Sequence, residues 1–494
     1  MKSILKHSLL ILAVLSLGSC EKWLDVNSDP NNPSDVAPEF VLPAAQVSVA
    51  GVVGGDFAII GGLWSQHWTQ SHVASQYRII DSYQLVAATY NIAWTELYAG
   101  GLNDFEDVKT KATALENNNL LLQAVAMQCY GYQMLADWFD KIPLTEALQA
   151  SNIPNPKYDD GPAVYAELLK RLDAALALDF NNGKSTRISS DLVFGTLSAA
   201  GQIDAWKRFA NTLKLKMYLR QTASSNSEQA IAAIKAMLDS DTEFLTTNAA
   251  LTQFKDEPNR SNPLFENNVR QLNVSSNLRL SKTFQSYLEA HDDLARLNAY
   301  FTPGTNGQYG LAQGNYDESS TVVLPAVPSV AKMTAVDPFF YFSLDEVYFL
   351  LAEAYLRTGD AAMAKSFYDK AVTAAYAKFA IPFDGTKIAT GGVYAYPSTG
   401  TQEQQLEAII TQKWVAMFRQ GYESFWDQAR TGYPRNSPVP VTDESYVPGE
   451  WTYPVKGVTS GVFAKRILYT AASRDVNPNT PPAAEVTDKI WWMK

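Results

Sequence analysis

The run Ser343-Leu-Asp-Glu346-Val-Tyr348-Phe-Leu-Leu351-Ala352-Glu-Ala-Tyr355-Leu-Arg-Thr-Gly359-Asp-Ala-Ala-Met-Ala364-Lys-Ser-Phe-Tyr368-Asp-Lys-Ala371 decides the fold. With Tyr348 at position 4, Leu351, Ala352 and Tyr355 fall in a first helix, Gly359 at a turn, and Ala364, Tyr368 and Ala371 in a second. This is the tetratricopeptide pattern: small residues let two helices approach, and large ones fill the groove between repeats. Ser343 and Glu346 are spaced as a capping box for the first helix. One such pair cannot bury both faces, so further pairs must stack on it.

Outward from this repeat, apolar residues recur at three and four spacing over 119–138, 163–178, 204–222, 227–239, 281–290, 361–379 and 403–420, which predicts helices there. Pro, Gly and Asn cluster over 151–162, 255–268, 302–328 and 383–401. Ordered loops of that length on a helical frame usually carry function. No long low-complexity linker divides the chain, so residues 41–494 read as a single all-α domain with a repeat at 344–376.

The first twenty residues set the compartment. Lys2 and Lys6 precede an apolar run from Leu9 to Leu17, too short to span a bilayer, and small residues follow. Residues 1–19 therefore read as a signal peptide. Leu17-Gly18-Ser19-Cys20 has the form of a lipobox, in which the Cys20 thiol takes a diacylglycerol, and residues 20–40 read as a lipidated tether. Each buried methylene of an acyl chain contributes about 0.8 kcal/mol, and two chains anchor stably. Within the tether, Asp25, Asn27 and Asp29 have the spacing of a calcium loop, but Pro30 and Val36 stand where such a loop needs Gly and Glu, so turns are expected and no metal. Past Cys20 only Cys129 remains, a small hydrophobe in a helical run.

The net charge of −11 becomes −13 once residues 1–19, with their two lysines, are removed. A nucleic-acid partner needs a basic footprint and is excluded. Catalysis finds no support either. Gly183-Lys184-Ser185 resembles the end of a phosphate loop, but Leu178 stands where its first Gly belongs. His67 and His72 are five apart, on different helix faces, and the chain has only four His. The acidic pairs Asp159-Asp160 and Asp292-Asp293 are sequence neighbours that point apart. No enzyme activity and no cofactor are expected.

Binding is the better reading. Sugars present apolar faces ringed by hydroxyls, which aromatic rings and amide, carboxylate or Arg groups complement. Two stretches hold that mixture: Trp64-Ser-Gln66-His-Trp68-Thr-Gln70 with Gln76-Tyr77-Arg78 and Tyr83, and Tyr300-Phe301 with Asn306, Gln308-Tyr309 and Asn315-Tyr316-Asp317. Trp68, Tyr77, Arg78, Tyr309 and Tyr316 are the candidate ligand-binding residues. Trp414, Phe418, Trp426 and Tyr355, at helical spacing, are assigned to the core.

Further motifs are spread along the chain: Trp94-Thr-Glu-Leu-Tyr98, Asp137-Trp-Phe-Asp140-Lys-Ile-Pro143-Leu-Thr-Glu-Ala147, Gln412-Lys413-Trp414-Val-Ala-Met-Phe418, Gly421-Tyr-Glu423-Ser-Phe-Trp426-Asp, Arg430-Thr-Gly432-Tyr-Pro434, and Lys465-Arg466-Ile-Leu-Tyr469 with Asn477. Together with the lipobox and the repeat, these resemble the SusD/RagB outer-membrane lipoproteins of Bacteroidetes, in the SusD-like branch. Lys141, Thr470, Ser473 and the closing Trp491-Trp-Met-Lys494 depart from the common pattern and bear on subgroup. The resemblance implies about four tetratricopeptide-like helix pairs, with long irregular loops packed on one side. It also implies a surface-exposed, lipid-anchored outer-membrane protein that binds an oligosaccharide and delivers it to a SusC-like TonB-dependent transporter. A peptide is the alternative ligand.

Overall fold

The computed structural model describes residues 36–149, 152–274, 277–316 and 327–494. The signal peptide, Cys20, the Asp25–Asp29 turn and Asp317 lie outside them.

The first helix, α1 (Pro38–Val52), starts inside the stretch read as tether, with Pro38 at a first-turn position where its fixed φ suits a helix. It runs through a π-helical turn, Val53–Phe57, into α2 (Ala58–Trp64). This 27-residue rod has a mean hydropathy of 1.6, enough to cross a membrane by length and composition, yet 78% of its most apolar window is buried inside the molecule. A helix apolar on all sides is a core helix when other elements enclose it.

Four helix pairs stack beside it: α3 (Asn103–Ala114) with α4 (Asn118–Phe139), α5 (Gly161–Leu176) with α6 (Ala199–Arg220), α10 (Leu344–Thr358) with α11 (Ala361–Lys378), and α12 (Gln402–Ala416) with α13 (Gly421–Thr431). Helix α7 (Ser227–Asp239) bridges α6 to α10, with α8 (Lys282–Ala290) and α9 (Leu294–Tyr300) between them in the chain, and α13 closes the array against α2. This is the helix-pair superhelix expected from the repeat. In α10–α11, Gly359 takes φ 92° at the turn and the Asp360 side chain caps α11 by accepting from the Met363 N–H. Ala352, Ala364 and Ala371 are buried at the crossing, while Tyr355 is half-buried and stacks on Phe367.

Two local expectations fail for tertiary reasons. The Ser343–Glu346 capping box does not form, because Glu346 turns inward to Lys216 at 2.7 Å. The helix read over 403–420 breaks after Ala416, where Arg419 adopts φ 73°, and restarts at Gly421. That restart sits on Gly62 of α2, where a Cβ on residue 421 would lie 2.6 Å from the Gly62 Cα. The close helix contact needs glycine on both sides, since a Cβ on Gly61 would in turn lie 2.2 Å from the Tyr422 backbone nitrogen.

Charged residues cross-tie the pairs from inside. Lys216 bridges Glu346 and Glu423 (2.7 and 2.9 Å). Arg220 reaches Asp137 at 3.1 Å and Glu423 at 2.7 Å. Lys413 pairs with Asp427 at 2.8 Å, and Arg430 holds Glu353 at 2.5 Å and Asp427 at 2.8 Å. All nine residues are buried. Removing one partner from such a network leaves an unpaired buried charge. The arrangement is structural, because no member reaches solvent to meet a substrate.

The loops on one side carry a small antiparallel sheet, ordered β1 (Trp68–Gln70), β3 (Leu278–Leu280), β5 (Val330–Ala331), β4 (Phe301–Thr302). Strands β2 (Ala249–Leu251) and β6 (Phe339–Phe342) form a separate two-stranded ladder. The four-stranded sheet brings both aromatic stretches to one side of the helical frame.

Candidate ligand-binding site

Trp68 is not part of an exposed platform. It has no exposed surface. Its indole N–H donates to the Ile59 carbonyl at 3.2 Å, its ring meets Phe418 edge-on at 5.5 Å, and Gly62 supplies the space its indole fills. The polar residues around it mislead in the same way. Gln66 donates to the Thr452 carbonyl at 2.7 Å, and the Gln70 side chain accepts from the Tyr77 N–H at 2.6 Å. The His67 ring bonds the Trp414 carbonyl at 2.8 Å, and burial pushes its pKa down to about 3, so it stays neutral. The polar side chains of the stretch are hydrogen-bonded within the protein, some to distant groups and some, as Ser65 to His67 and Gln70 to the Ser71 carbonyl, to near neighbours, which is how a buried segment tolerates them. Trp414, Phe418 and Trp426 are core residues as expected.

The buried Asp81 carboxylate ties three segments together. It accepts from Thr69 Oγ1 (2.7 Å), from the Gln70 N–H (2.9 Å) and from the Gln313 amide. Burial raises its pKa to about 6 despite these bonds. Gln313 also donates to the Leu63 carbonyl at 3.0 Å, and the Gly314 N–H to Thr69 Oγ1 at 3.0 Å. Three residues before Asp81 stands Arg78, and three after Gln313 stands Tyr316. The clip therefore sets them face to face, with the Arg78 guanidinium carbon 5.1 Å from the Tyr316 ring centre. Both are partly exposed, and Arg78 Nε also donates to the Ala74 carbonyl at 3.3 Å. Stacking an Arg on a ring is worth about 0.5–1 kcal/mol at an exposed site and holds both planes in register. Tyr309, partly exposed, is fixed by Ser329, whose hydroxyl accepts from its N–H at 2.9 Å. Tyr77 is largely buried and offers only an edge.

Sequence reasoning missed an acid whose charge reaches Tyr77. Asp56, on the Val53–Phe57 π-turn, is partly exposed, and burial raises its pKa to about 6. Its one hydrogen bond to a described residue comes from the Asn267 amide at a long 3.5 Å, and no cation among the described residues pairs with it. Asn267 lies on a second π-turn, Glu266–Arg270, and approaches closely because residue 55 is Gly. The charge of Asp56 bears on the phenols of Tyr77 and Tyr90, adding to the burial that raises both. The Tyr90 hydroxyl is buried with no partner among the described residues. Single π-turns inside helices often mark functional positions. One signal was available: Asp56 is the only charge between Val41 and Trp64. Through Gly54 the same turn lines a cavity of about 310 Å³ bounded by Phe339, Phe340, Phe379 and Arg419.

This arrangement can bind, and nothing in it is set up to cleave. An Arg–Tyr platform, phenols, an amide and one under-bonded carboxylate suit a polar ligand with apolar faces.

Comparison with known proteins agrees with this architecture. The SusD-like family model described as "Starch-binding associating with outer membrane" matches residues 30–454. A SusD homologue from Bacteroides uniformis superposes with a TM-score of 0.72 at 21% identity, covering 92% of this chain and 99% of its own. A chitin-binding protein gives 0.72 at 21%, covering 93% and 100%. A chitin-binding SusD homologue from Flavobacterium johnsoniae gives 0.69 at 19%, covering 91% and 98%. No curated protein matches the sequence.

Proposed function

Because the chain belongs to the SusD/RagB family of outer-membrane-associated binding proteins, we propose that it captures an oligosaccharide at the cell surface and passes it to a TonB-dependent outer-membrane transporter. Members of this family are binding proteins and not enzymes, and this chain is one of them. The observation that carries the glycan reading is the Arg78–Tyr316 stack, half-exposed and next in the chain to Tyr77. A ring backed by a guanidinium offers a flat face to a sugar and donors to its hydroxyls. The family's description and two structural neighbours, named for starch and chitin, support a neutral polysaccharide. Cys20 anchors the chain through its lipid, since a net charge of −13 gives no electrostatic hold on an anionic membrane.

Capture before transport calls for modest affinity, a dissociation constant of roughly 1 mM to 1 μM, or about −4 to −8 kcal/mol. Titration calorimetry of the mature protein against starch-derived and chitin-derived oligosaccharides and oligopeptides tests the reading. An oligosaccharide binds in that range, and Tyr316→Ala weakens it about tenfold, the loss of about 1.4 kcal/mol. Binding of peptides alone, or of no ligand, overturns it. Cys20→Ser releases the protein from the membrane fraction, and retention there refutes lipid anchoring.

A further inference from the structure

We propose that Arg279 is a specificity-determining residue of this site and that it takes the carboxylate of a uronic acid unit, so that oligosaccharides of acidic sugars are favoured. This rests on the oligosaccharide reading above and adds a charged sugar class to the neutral one considered there.

Five arginines are buried among the described residues, and they differ in what answers their charge. Arg220, Arg296 and Arg430 are ion-paired. Arg466 donates to the Ile467 and Phe139 carbonyls, lies over the Tyr469 ring, and acts by its charge on Asp140. Arg279, only 6% exposed, has no acid among the described residues. Its Nε donates to Ser71 Oγ at 3.3 Å and its Nη1 to the Pro328 carbonyl at 2.6 Å, both neutral acceptors. Burial lowers its pKa, and no carboxylate opposes that shift. Asp81, which holds Thr69 across the ladder from Arg279, spends its oxygens on Thr69, Gln70 and Gln313. The Arg279 Nη2 donates to no described residue, yet it is not one of the enclosed polar atoms without a partner, so solvent reaches it. A buried cation without a counter-charge carries a desolvation cost that a bound anion offsets.

Short contacts fix the position. Leu278 and Leu280 flank Arg279 on β3 with no exposed surface, so alternation along the strand turns Arg279 to the other face of the sheet. Through Pro328 it meets the turn in which the Ser329 N–H donates to the Tyr309 carbonyl at 2.8 Å. Through Ser71 it meets the loop in which the Ala74 N–H reaches the Ser71 carbonyl at 3.5 Å and Arg78 Nε the Ala74 carbonyl at 3.3 Å. The guanidinium is thereby bonded to the segment that pairs with Tyr309 and to the segment that leads into the Arg78–Tyr316 stack. Its open edge, Nη2 with the second hydrogen of Nη1, is a planar two-pronged donor, the shape that a carboxylate matches. A sugar hydroxyl offers one oxygen and no charge. The net charge of −13 does not decide the matter, since a Debye length of about 8 Å at physiological salt screens distant acids and leaves the local cation in control. Neutral glycans leave Arg279 unmatched and bind through the ring face alone.

A uronate hexamer and its methyl ester differ only in charge, so the pair isolates the feature. Titration calorimetry of the mature protein uses hexamers of galacturonate and of mannuronate, each against its ester. Hydrogen bonding between charged groups corresponds to about 10- to 100-fold in affinity. The wild-type protein binds the acid of one pair or both more tightly than the ester by that factor. Arg279→Gln lowers the acid to the level of the ester and leaves the ester unchanged, whereas Tyr316→Ala lowers both equally and keeps the ratio. Equal wild-type affinities within both pairs, a comparison that needs no variant, overturn the assignment, as does a preference that survives Arg279→Gln. Melting temperatures test whether the chain supplies its own anion from Asp317 or Glu318, which follow Tyr316. A loss of stability shared without additivity by Arg279→Gln and by Asp317→Asn with Glu318→Gln overturns the assignment. In each of these cases, binding of the esters or of starch- or chitin-derived oligosaccharides leaves the oligosaccharide reading standing. Binding of no oligosaccharide at all overturns both.

Discussion

Asp56→Asn makes the protein more stable above pH 6 and leaves its stability unchanged below pH 4. Burial raises the folded-state pKa from 3.8 to about 6, and each tenfold change in proton affinity corresponds to about 1.4 kcal/mol. The full difference is about 3 kcal/mol, which the solvent reaching a partly exposed carboxylate reduces to about 1–3 kcal/mol. The sign follows from proton counting. Between pH 3.8 and about 6 the folded chain holds a proton that the unfolded chain has lost, so wild-type stability falls as pH rises through that window. Above it the whole cost of enclosing a charge is present; below it both states are protonated and the cost vanishes. Asparagine is isosteric and uncharged, so it escapes the cost. At about 2.1 cal/mol/K per residue, the unfolding entropy of a chain this long is about 1 kcal/mol/K, which converts the gain to roughly 1–3 °C. Scanning calorimetry of both proteins from pH 3.5 to 8 reads it directly. A variant that melts at or below the wild type at pH 7.5, or a difference that does not depend on pH, refutes the reasoning.

Lys216→Met strands Glu346 in the interior, leaves Glu423 to Arg220 alone, and costs about 3–5 kcal/mol in denaturant unfolding, and an effect under 1 kcal/mol contradicts a tight cluster. Trp68→Ala costs about 3–5 kcal/mol through the cavity it opens. In the fraction that stays folded it leaves the glycan affinity unchanged, and a selective loss of affinity at full stability would return Trp68 to the site. Gly421→Ala drives a Cβ into the Gly62 backbone and depletes soluble protein, whereas Gly385→Ala, with open space at its Cβ, does not; equal yields count against the close helix crossing.

The repeat at 344–376 was legible because its signals are local: alanines at a crossing, large residues between them and a glycine in the left-handed region. The α1–α2 rod was not, because a helix enclosed on every side has no polar stripe to set its period. The capping box and the 403–420 helix gave way to partners far along the chain, Lys216 and Gly62. The site divides in the same manner. Arg78 and Tyr316 stand out as exposed-type residues in loops, but their meeting depends on Asp81 and Gln313, 232 positions apart. Trp68 carries the same composition as a sugar platform, and only its surroundings distinguish the two. Asp56 was hidden by its apolar neighbours, although a lone charge in such a run is itself a clue.

The salt-bridged interior has a bearing on how this architecture evolves. An ordinary solenoid can shed or gain a repeat at its end, since each unit answers only to its neighbours. Here α4, α6, α10, α12 and α13 each contribute a charge to one shared knot, and deleting any pair would orphan ions contributed by the others. The number of helices is thereby frozen. Diversification is left to the surface segments between them, where a lengthened loop or an altered ring changes what is held and leaves the frame untouched.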